Sequence, residues 1–295
     1  IYLVRDPMGE KPLYWLKKNN EVYFSSEIKA FLKINSFSKK PNLNFIDDYL
    51  YTSVINGSKT IYSEANEVDP GSIIKISTLT QSINSKSYFS VENTFYPKSL
   101  KYTNEANLKK CIEDSVISRC ISDVPFGMLL SGGLDSSLIL SLLMKNELTS
   151  KIKCYFADTK NQKLSEFNDV DRIKDFLIKK YKKPKLSLTL GKINFSNYIN
   201  LLQEVTESFD EPVHFSNSPY LLQVCKKASK EGVKVLLSGE GSDELFFGYD
   251  RFIDTYKYLK KMKSEKDKIE KIYYGGGQHS VNCVKKLCEF TKGTK

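Results

Sequence analysis

Two short apolar segments of this chain each run into a Ser-Gly turn that carries acidic residues. The first is Val124–Leu130, followed by the turn Ser131–Ser137, which reads Ser-Gly-Gly-Leu-Asp-Ser-Ser. The second is Val233–Leu237, followed by Ser238–Tyr249. A short apolar run that ends in a glycine turn predicts a buried strand. Because loops at the carboxyl ends of neighbouring parallel strands share one crevice, we predict that both turns line one site.

The first turn contains the residue types that bind a pyrophosphate. Gly132 and Gly133 lack the Cβ atoms that would keep a ligand from the backbone, and they permit positive φ. Successive N–H groups, with a helix N-terminus behind them, can then face one anion. Ser131, Ser136 and Ser137 add hydroxyl donors. No lysine follows the glycines, so the turn is not the G-x-x-x-x-G-K-[ST] loop.

Acidic residues accompany both turns. Asp135 offers a carboxylate to a hard cation such as Mg²⁺, and Glu240 and Asp243 are placed similarly in the second turn. A ligand-free strand-to-helix turn is the alternative for either motif alone. Two such turns on two such strands favour a nucleotide polyphosphate site with its metal.

After the first turn, strand-like and helix-like segments alternate. The predicted strands cover 152–156 and 186–190, and the predicted helices cover 167–181, 195–209 and 219–231. This alternation predicts an α/β fold, in which a parallel sheet is covered by helices on both faces.

The first 90 residues are patterned differently. Hairpin strands and a short helix at Glu27–Leu32 are followed by a strand at Ser72–Thr78 and a polar, serine-rich connection at Ser77–Ser90. We place the domain boundary between about 85 and 103, and we expect Thr103 to cap the next helix.

Together these motifs resemble a known family. Ser131–Ser137 is similar to the pyrophosphate loop of the ATP pyrophosphatases. With Ser238–Tyr249, it resembles the synthetase domain of glutamine-hydrolysing asparagine synthetases. Arg5–Tyr14 and Phe24–Ala30 are similar to segments near the end of that family's amino-terminal glutaminase domain. The resemblance covers nearly the whole chain.

The resemblance implies an ATP pyrophosphatase-type (adenine nucleotide hydrolase-like) synthetase domain over 103–295, preceded over 1–90 by a partial α+β glutaminase domain and linker. It implies ATP and Mg²⁺ as cofactors. In the implied reaction, ATP adenylates a carboxylate, most simply that of aspartate, and ammonia derived from glutamine attacks the acyl-AMP to form an amide. The implied partners are therefore small molecules, namely the carboxylate acceptor and glutamine or ammonia.

The same resemblance assigns roles residue by residue. Asp135 and Asp243 would hold Mg²⁺, and Glu240 would accept a proton as ammonia attacks. Glu244 would support the second loop, with Tyr249 behind it. The positions implied to contact ATP are Leu129, Ser131, Gly132, Gly133, Leu134, Asp135, Ser136, Ser137, Ala157, Ser238 and Gly239.

This chain departs from the family pattern in three places. Ile1 stands where the glutaminase would need an amino-terminal cysteine, so we expect a piece of a longer protein that does not itself hydrolyse glutamine. The family normally has a further lysine near its carboxyl terminus that serves the pyrophosphate. Candidates here are Lys285, Lys286 and Lys292, but no motif identifies which of them corresponds to it. The stretch Asp210–Ser218 lacks the arginine that would grip aspartate, and His214 is its candidate replacement.

These departures leave alternatives open. A sugar acid amidated in surface-polysaccharide synthesis could be the acceptor instead of aspartate. A truncated, non-catalytic family member is a second alternative, and a tRNA-modifying pyrophosphatase is a third. Arg5–Ala30 argues against the last of these.

Charge, hydrophobicity and cysteine content argue against several other classes of protein. The net charge is +10, but only four of the 45 basic residues are arginines, so we predict no specific nucleic-acid partner. No apolar run approaches the ~20 residues that span a membrane. The six cysteines form no C-x-x-C pair. A cytoplasmic enzyme is expected, with a homodimer left open.

Overall fold

The computed structural model describes residues 1–52, 57–90, 104–148, 152–159, 167–182, 187–193, 195–213, 215–246 and 248–261. The chain divides into two compact units. The first unit comprises Ile1–Lys101, Phe209–His214 and Arg251–Lys295, and the second comprises Tyr102–Ser208 and Phe215–Asp250. The domain limits 1–90 and 103–295 stay a prediction, and this grouping differs from them by assigning 209–214 and 251–295 to the first unit.

The described part of the first unit contains two antiparallel three-stranded sheets, in the orders β1-β5-β6 and β3-β2-β4. A 3₁₀-helix covers Ile28–Lys33, and α1 covers Leu43–Thr52. The strands are β1 (Tyr2–Val4), β2 (Tyr14–Lys18), β3 (Glu21–Ser25), β4 (Asn66–Glu67), β5 (Ser72–Ile76) and β6 (Ile83–Ser87).

Strand β2 sends alternate side chains into two hydrophobic clusters. Trp15 packs with Leu3 and Ile74, whereas Leu16, which is fully buried, packs with Phe31 on the opposite side. Side chains of a strand alternate between its faces, so one strand connects both cores.

Two predictions for this unit are wrong in detail. The polar connection predicted at Ser77–Ser90 contains strand β6. This strand pairs with β5, with Ser87 opposite Ser72 at one end and Ile83 opposite Ile76 at the other. Only Ile83 of β6 is partly buried, so its sequence carries no apolar alternation. The short helix is a 3₁₀-helix at Ile28–Lys33.

The second unit contains a parallel sheet of four described strands in the order β10-β7-β8-β9. Its strands are β7 (Phe126–Leu129), β8 (Lys153–Thr159), β9 (Ser187–Ile193) and β10 (Val235–Leu237). The helices are α2 (Glu105–Arg119), α3 (Leu134–Lys145), α4 (Phe167–Tyr181), α5 (Phe195–Phe209), α6 (Ser218–Lys230) and α7 (Ser242–Phe246). The last residue of α5, Phe209, and all of a further helix, α8 (Asp250–Lys261), except Asp250 belong to the first unit.

Helices cover both faces of this sheet. Cys154 of β8 packs with Leu140 of α3 and Val170 of α4. The next residue, Tyr155, packs on the opposite face against Val224 of α6. The predicted α/β class, a parallel sheet with helices on both faces, is therefore confirmed.

Helix α2 begins one residue later than expected. Asn104 is its N-cap, and the side chain of Asn104 accepts a hydrogen bond from the backbone N–H of Asn107 at 2.9 Å. Thr103, the predicted cap, lies outside the described residues. Asparagine and threonine are both good N-caps, so residue type alone does not decide whether Thr103 or Asn104 caps the helix.

Glu211 gives the first unit a testable pH dependence. Burial, and then the nearby carboxylates Glu67 and Asp210, raise the pKa of Glu211 to about 7, although its carboxylate accepts the N–H of Ile61. The folded chain then holds a proton that the unfolded chain releases above its ordinary pKa of 4.5. Stability conferred by this proton is lost as the pH rises from about 4.5 to 7.

We expect Glu211→Gln to be more stable than the wild type at pH 8, by about 2–3 kcal/mol, and similar to it near pH 4. Urea unfolding of both proteins across this range measures the difference. The exposed carboxylate Asp123, changed to Asn, is the control. Parallel stability curves for Glu211→Gln and the wild type would contradict the expectation.

Candidate active site

The two Ser-Gly loops meet at one edge of the parallel sheet. Strand β7 lies between β8 and β10, and the loops leave the carboxyl ends of β7 and β10. A Cβ atom placed on Gly239 would lie 3.0 Å from Cβ of Asp135 and 3.1 Å from the backbone N of Ser136. Both loops line a cavity of about 640 Å³ within the second unit. The predicted meeting of the loops is confirmed, and it falls where the strand order reverses.

Serine hydroxyls hold the shape of the first loop. Gly132 has φ +82°, and a Cβ atom there would lie 3.2 Å from the backbone N of Val170. The buried Ser136 hydroxyl accepts the N–H of Ser131 at 3.3 Å. The Ser137 hydroxyl donates to the carbonyl oxygen of Gly133 at 2.6 Å. These bonds fix the turn from which α3 starts.

The acidic side chains of the two loops interact electrostatically. Burial raises the pKa of Asp135, and the charges of Asp243 and Glu244 raise it further. Carboxylates that disfavour each other's charge in this way match the demand of a hard divalent cation. The part of the chain that the structure describes contains no group of three or more His, Cys, Asp or Glu side chains that could hold a metal. A cation here would therefore need ligand oxygens besides Asp135 and Asp243.

The second loop is held by a close approach and a side-chain hydrogen bond. The N–H of Gly248 donates to the carbonyl oxygen of Asp243 at 3.0 Å, and a Cβ atom on Gly248 would lie 1.8 Å from Oδ1 of Asp243. The Tyr249 hydroxyl donates to Glu244 at 2.7 Å. This bond, followed by burial and the nearby acidic charges, raises the pKa of Tyr249 to about 12. The expected support of the loop by Glu244 and Tyr249 agrees with this pairing.

Glu240 of the second loop lies in the cavity lining. It is exposed, and among the described residues its carboxylate makes no hydrogen bond or ion pair. A carboxylate without a structural partner remains available to a ligand.

The lining contains most of the sequence-predicted positions. These are Leu129, Ser131, Gly133, Asp135, Ser136, Ala157, Ser238, Gly239, Glu240 and Asp243. The predicted positions outside the lining are Gly132, Leu134 and Ser137. Leu134 is 84% exposed, and the Ser137 hydroxyl is used within the loop.

Sequence reasoning missed one whole wall of the cavity. The first turns of α6 contribute Asn217, Tyr220, Leu221 and Val224, and β8 contributes Tyr155 and Phe156. The helix itself is predictable from its apolar spacing. No local signal indicates that its start lines the same cavity as the two loops.

The contact at Gly239 provides a graded test of the site. We expect Gly239→Ala to force a shift of a few tenths of an ångström, and Gly239→Val to separate the loops. Loop separation should weaken binding of Mg²⁺–ATP by about tenfold or more, because the anion-binding N–H groups lose their alignment. Calorimetric titration of the two variants measures this, with thermal unfolding as the control for the fold. Equal ATP affinities for wild type and Gly239→Val would contradict the expectation.

The fold and the loop pair define an α/β protein with a candidate nucleotide site at its strand-order reversal. The asparagine synthase family model matches residues 107–280, and the glutamine amidotransferase domain model matches residues 1–89. The chain belongs to the asparagine synthase family.

The chain is similar to proteins named as asparagine synthetases. It is 33% identical over 259 residues to asparagine synthetase [glutamine-hydrolyzing] 1 of Bacillus subtilis, which covers 85% of this chain and 38% of that protein. It is 28% identical over 269 residues to putative asparagine synthetase [glutamine-hydrolyzing] 2 of Methanocaldococcus jannaschii, covering 89% of this chain and 50% of that protein. The chain thus spans half or less of the length of these two relatives.

Among solved structures, the glutamine-dependent NAD⁺ synthetase of Acinetobacter baumannii in complex with ADP is 17% identical, with a TM-score of 0.33. The match covers 60% of this chain and 31% of that one. Within the described residues, no helix has both the length and the apolar character to cross a membrane.

Proposed function

We propose that this chain carries the synthetase site of an enzyme that amidates a carboxylate at the expense of ATP, most simply converting aspartate to asparagine through an acyl-adenylate. The meeting of the two glycine loops, with their carboxylates in one cavity, carries the proposal. Family membership gives the reaction class, and glutamine would supply the ammonia in the complete protein.

In this proposal the first loop binds the phosphates of ATP. The backbone N–H groups of Gly132 and Leu134, at the start of α3, would face the pyrophosphate. Those of Ser131 and Gly133, which the sequence also implies, donate instead to the Ser136 and Ser131 hydroxyls and hold the loop in shape. Leu129 and Ala157 at the strand ends, with Ser238 and Gly239, would contact the adenosine. Catalysis would then rest mainly on alignment of the α-phosphate with the acceptor carboxylate.

Mg²⁺ fits the carboxylates present. Asp135 and Asp243 would bind the ion, with phosphate oxygens of ATP as further ligands. In proteins, Mg²⁺ is usually bound by one or two carboxylates plus substrate phosphates. A bound Mg²⁺ would neutralise the charge that develops on the leaving pyrophosphate. Glu240 would accept a proton from the attacking ammonia, because its carboxylate has no described structural partner and lies in the cavity.

A sugar acid is the second candidate acceptor. The stretch Asp210–Ser218 contains no arginine. Its two carboxylates are engaged inside the first unit, where Asp210 accepts the N–H of Lys29 at 2.9 Å and Glu211 that of Ile61 at 3.1 Å. His214 lies outside the described residues. The charge complement that would select aspartate is thus not among the described side chains of this stretch.

Exchange of labelled pyrophosphate into ATP tests the function in the full-length protein. We expect exchange that depends on both Mg²⁺ and a carboxylate, with ammonia then giving the amide. Aspartate and glucuronate, supplied separately, distinguish the two acceptors. Absence of exchange with every carboxylate offered would refute the proposed reaction.

A further inference from the structure

Helix α6 is fastened to the sheet at the end that lies away from the cavity. Its first turns line the cavity through Asn217, Tyr220 and Leu221, whereas its C-cap residue, Glu231, lies at the other end of the helix. One Glu231 carboxylate oxygen, Oε2, lies 3.2 Å from both the Lys153 ammonium and the Tyr155 hydroxyl of β8.

Tyr155 connects this attachment to the cavity. Its side chain is 1% exposed, packs against Val224 and Ala228 of α6, and also lines the cavity. Glu231 is the one hydrogen-bond partner of the Tyr155 hydroxyl among the described residues. Burial first, and then the bond to Glu231, raise the pKa of Tyr155 to about 12. The hydroxyl is therefore a buried donor that depends on a single carboxylate.

Loss of that carboxylate would leave the hydroxyl without an acceptor. A buried donor without a partner is destabilising, so the tyrosine ring or the helix would tend to move toward water. The ring has little freedom on its other side, because a Cβ atom on Gly127 of β7 would lie 2.9 Å from it. Movement of α6 along the sheet is the response that would change the cavity wall.

We infer that Glu231 is a positioning residue, which sets the α6 wall of the cavity through Tyr155 and thereby the affinity of the site for the carboxylate acceptor. The inference rests on the proposed function, in which the loops and strand ends bind ATP and the α6 wall remains for the acceptor. Chemistry at the loops should depend on Glu231 much less than acceptor binding does.

Glu231→Ala in the full-length enzyme tests this. We expect the KM for aspartate in the exchange reaction to rise about fivefold, with kcat and the KM for ATP within twofold of wild type. Glu231→Gln keeps an acceptor for the hydroxyl and should restore most of the affinity. The matched control is Glu204→Ala, which removes a carboxylate paired with Lys226 of α6, as Glu231 is paired with Lys227 of the same helix at 3.6 Å. It should leave all three constants unchanged.

Lys153→Ala removes a different partner of the same carboxylate and serves if Glu231→Ala does not fold. It should raise the KM for aspartate above the wild-type value but by less than about fivefold, because the tyrosine bond survives. An unchanged KM in folded Glu231→Ala, an equal rise in Glu204→Ala, or a fall in kcat alone would overturn the inference.

Amide hydrogen exchange separates this inference from the proposed function. In Glu231→Ala, amides of residues 217–224 should exchange faster than in the wild type, while those of α3 should not. This holds whether or not the enzyme shows activity with aspartate. Unchanged exchange over 217–224 would overturn the inference, whereas a wild type without any carboxylate-dependent exchange of pyrophosphate refutes only the proposed function.

Discussion

Asp135→Asn and Asp243→Asn should each lower carboxylate-dependent pyrophosphate exchange on the order of 100-fold or more. Each change keeps the side-chain shape and removes one negative charge from a pair that Mg²⁺ would bridge to the phosphates. The Asp135 charge is also disfavoured in the ligand-free protein, where burial and then Asp243 raise its pKa. Both variants should therefore fold at least as stably as the wild type.

Three measurements make this a test of metal binding. The Mg²⁺ concentration for half-maximal exchange should rise in both variants, and excess Mg²⁺ should restore part of the rate. Asp123→Asn, at an exposed position before β7, is the control for charge loss. Exchange at the wild-type rate in both loop variants would remove Asp135 and Asp243 from the metal site.

Glu240→Gln should separate the two halves of the reaction. Without its carboxylate to accept a proton from ammonia, amide formation should fall about 10²- to 10⁴-fold. Exchange of pyrophosphate should fall less than tenfold, because glutamine keeps the shape of the loop and adenylation does not need the base. Amide formation is measured with ammonium chloride as the nitrogen source.

Glu244→Gln is the matched control for Glu240→Gln, since both lie in the second loop and lose one charge. Glu244 accepts the Tyr249 hydroxyl, and a glutamine carbonyl can still do so. We expect less than a tenfold loss of amide formation. If exchange and amide formation fall together in Glu240→Gln, the residue contributes to nucleotide binding and not to proton transfer.

The loop pair could be predicted from the sequence because each loop follows a strand and the order of strands in such sheets follows a rule. Gly239 and Asp135 meet as a result of that rule. The placement of α6 follows no such rule. Its register on the sheet depends on Tyr155 and Glu231, which are 76 residues apart and have no motif in common.

Misplaced elements in the first unit have a related cause. Strand β6 is held by backbone pairing to β5 and buries little beyond Ile83. Hydrophobic periodicity reports burial of side chains, so a strand that is stabilised by its backbone leaves no pattern. Strand β2, in contrast, buries Leu16 completely, and its apolar side chains make it predictable as part of a hairpin.

Because both loops must be in place to bind ATP, the nucleotide site forms only after β10 has paired with β7. Strand β7 (residues 126–129) must pair with β10 (residues 235–237) before the two loops can come together. A nascent chain that has emerged only as far as α5 holds half of the nucleotide site, and long-range parallel pairing of this kind forms slowly. Because only the paired state would bind the nucleotide tightly, ATP should draw late folding intermediates toward the native protein, in proportion to its concentration.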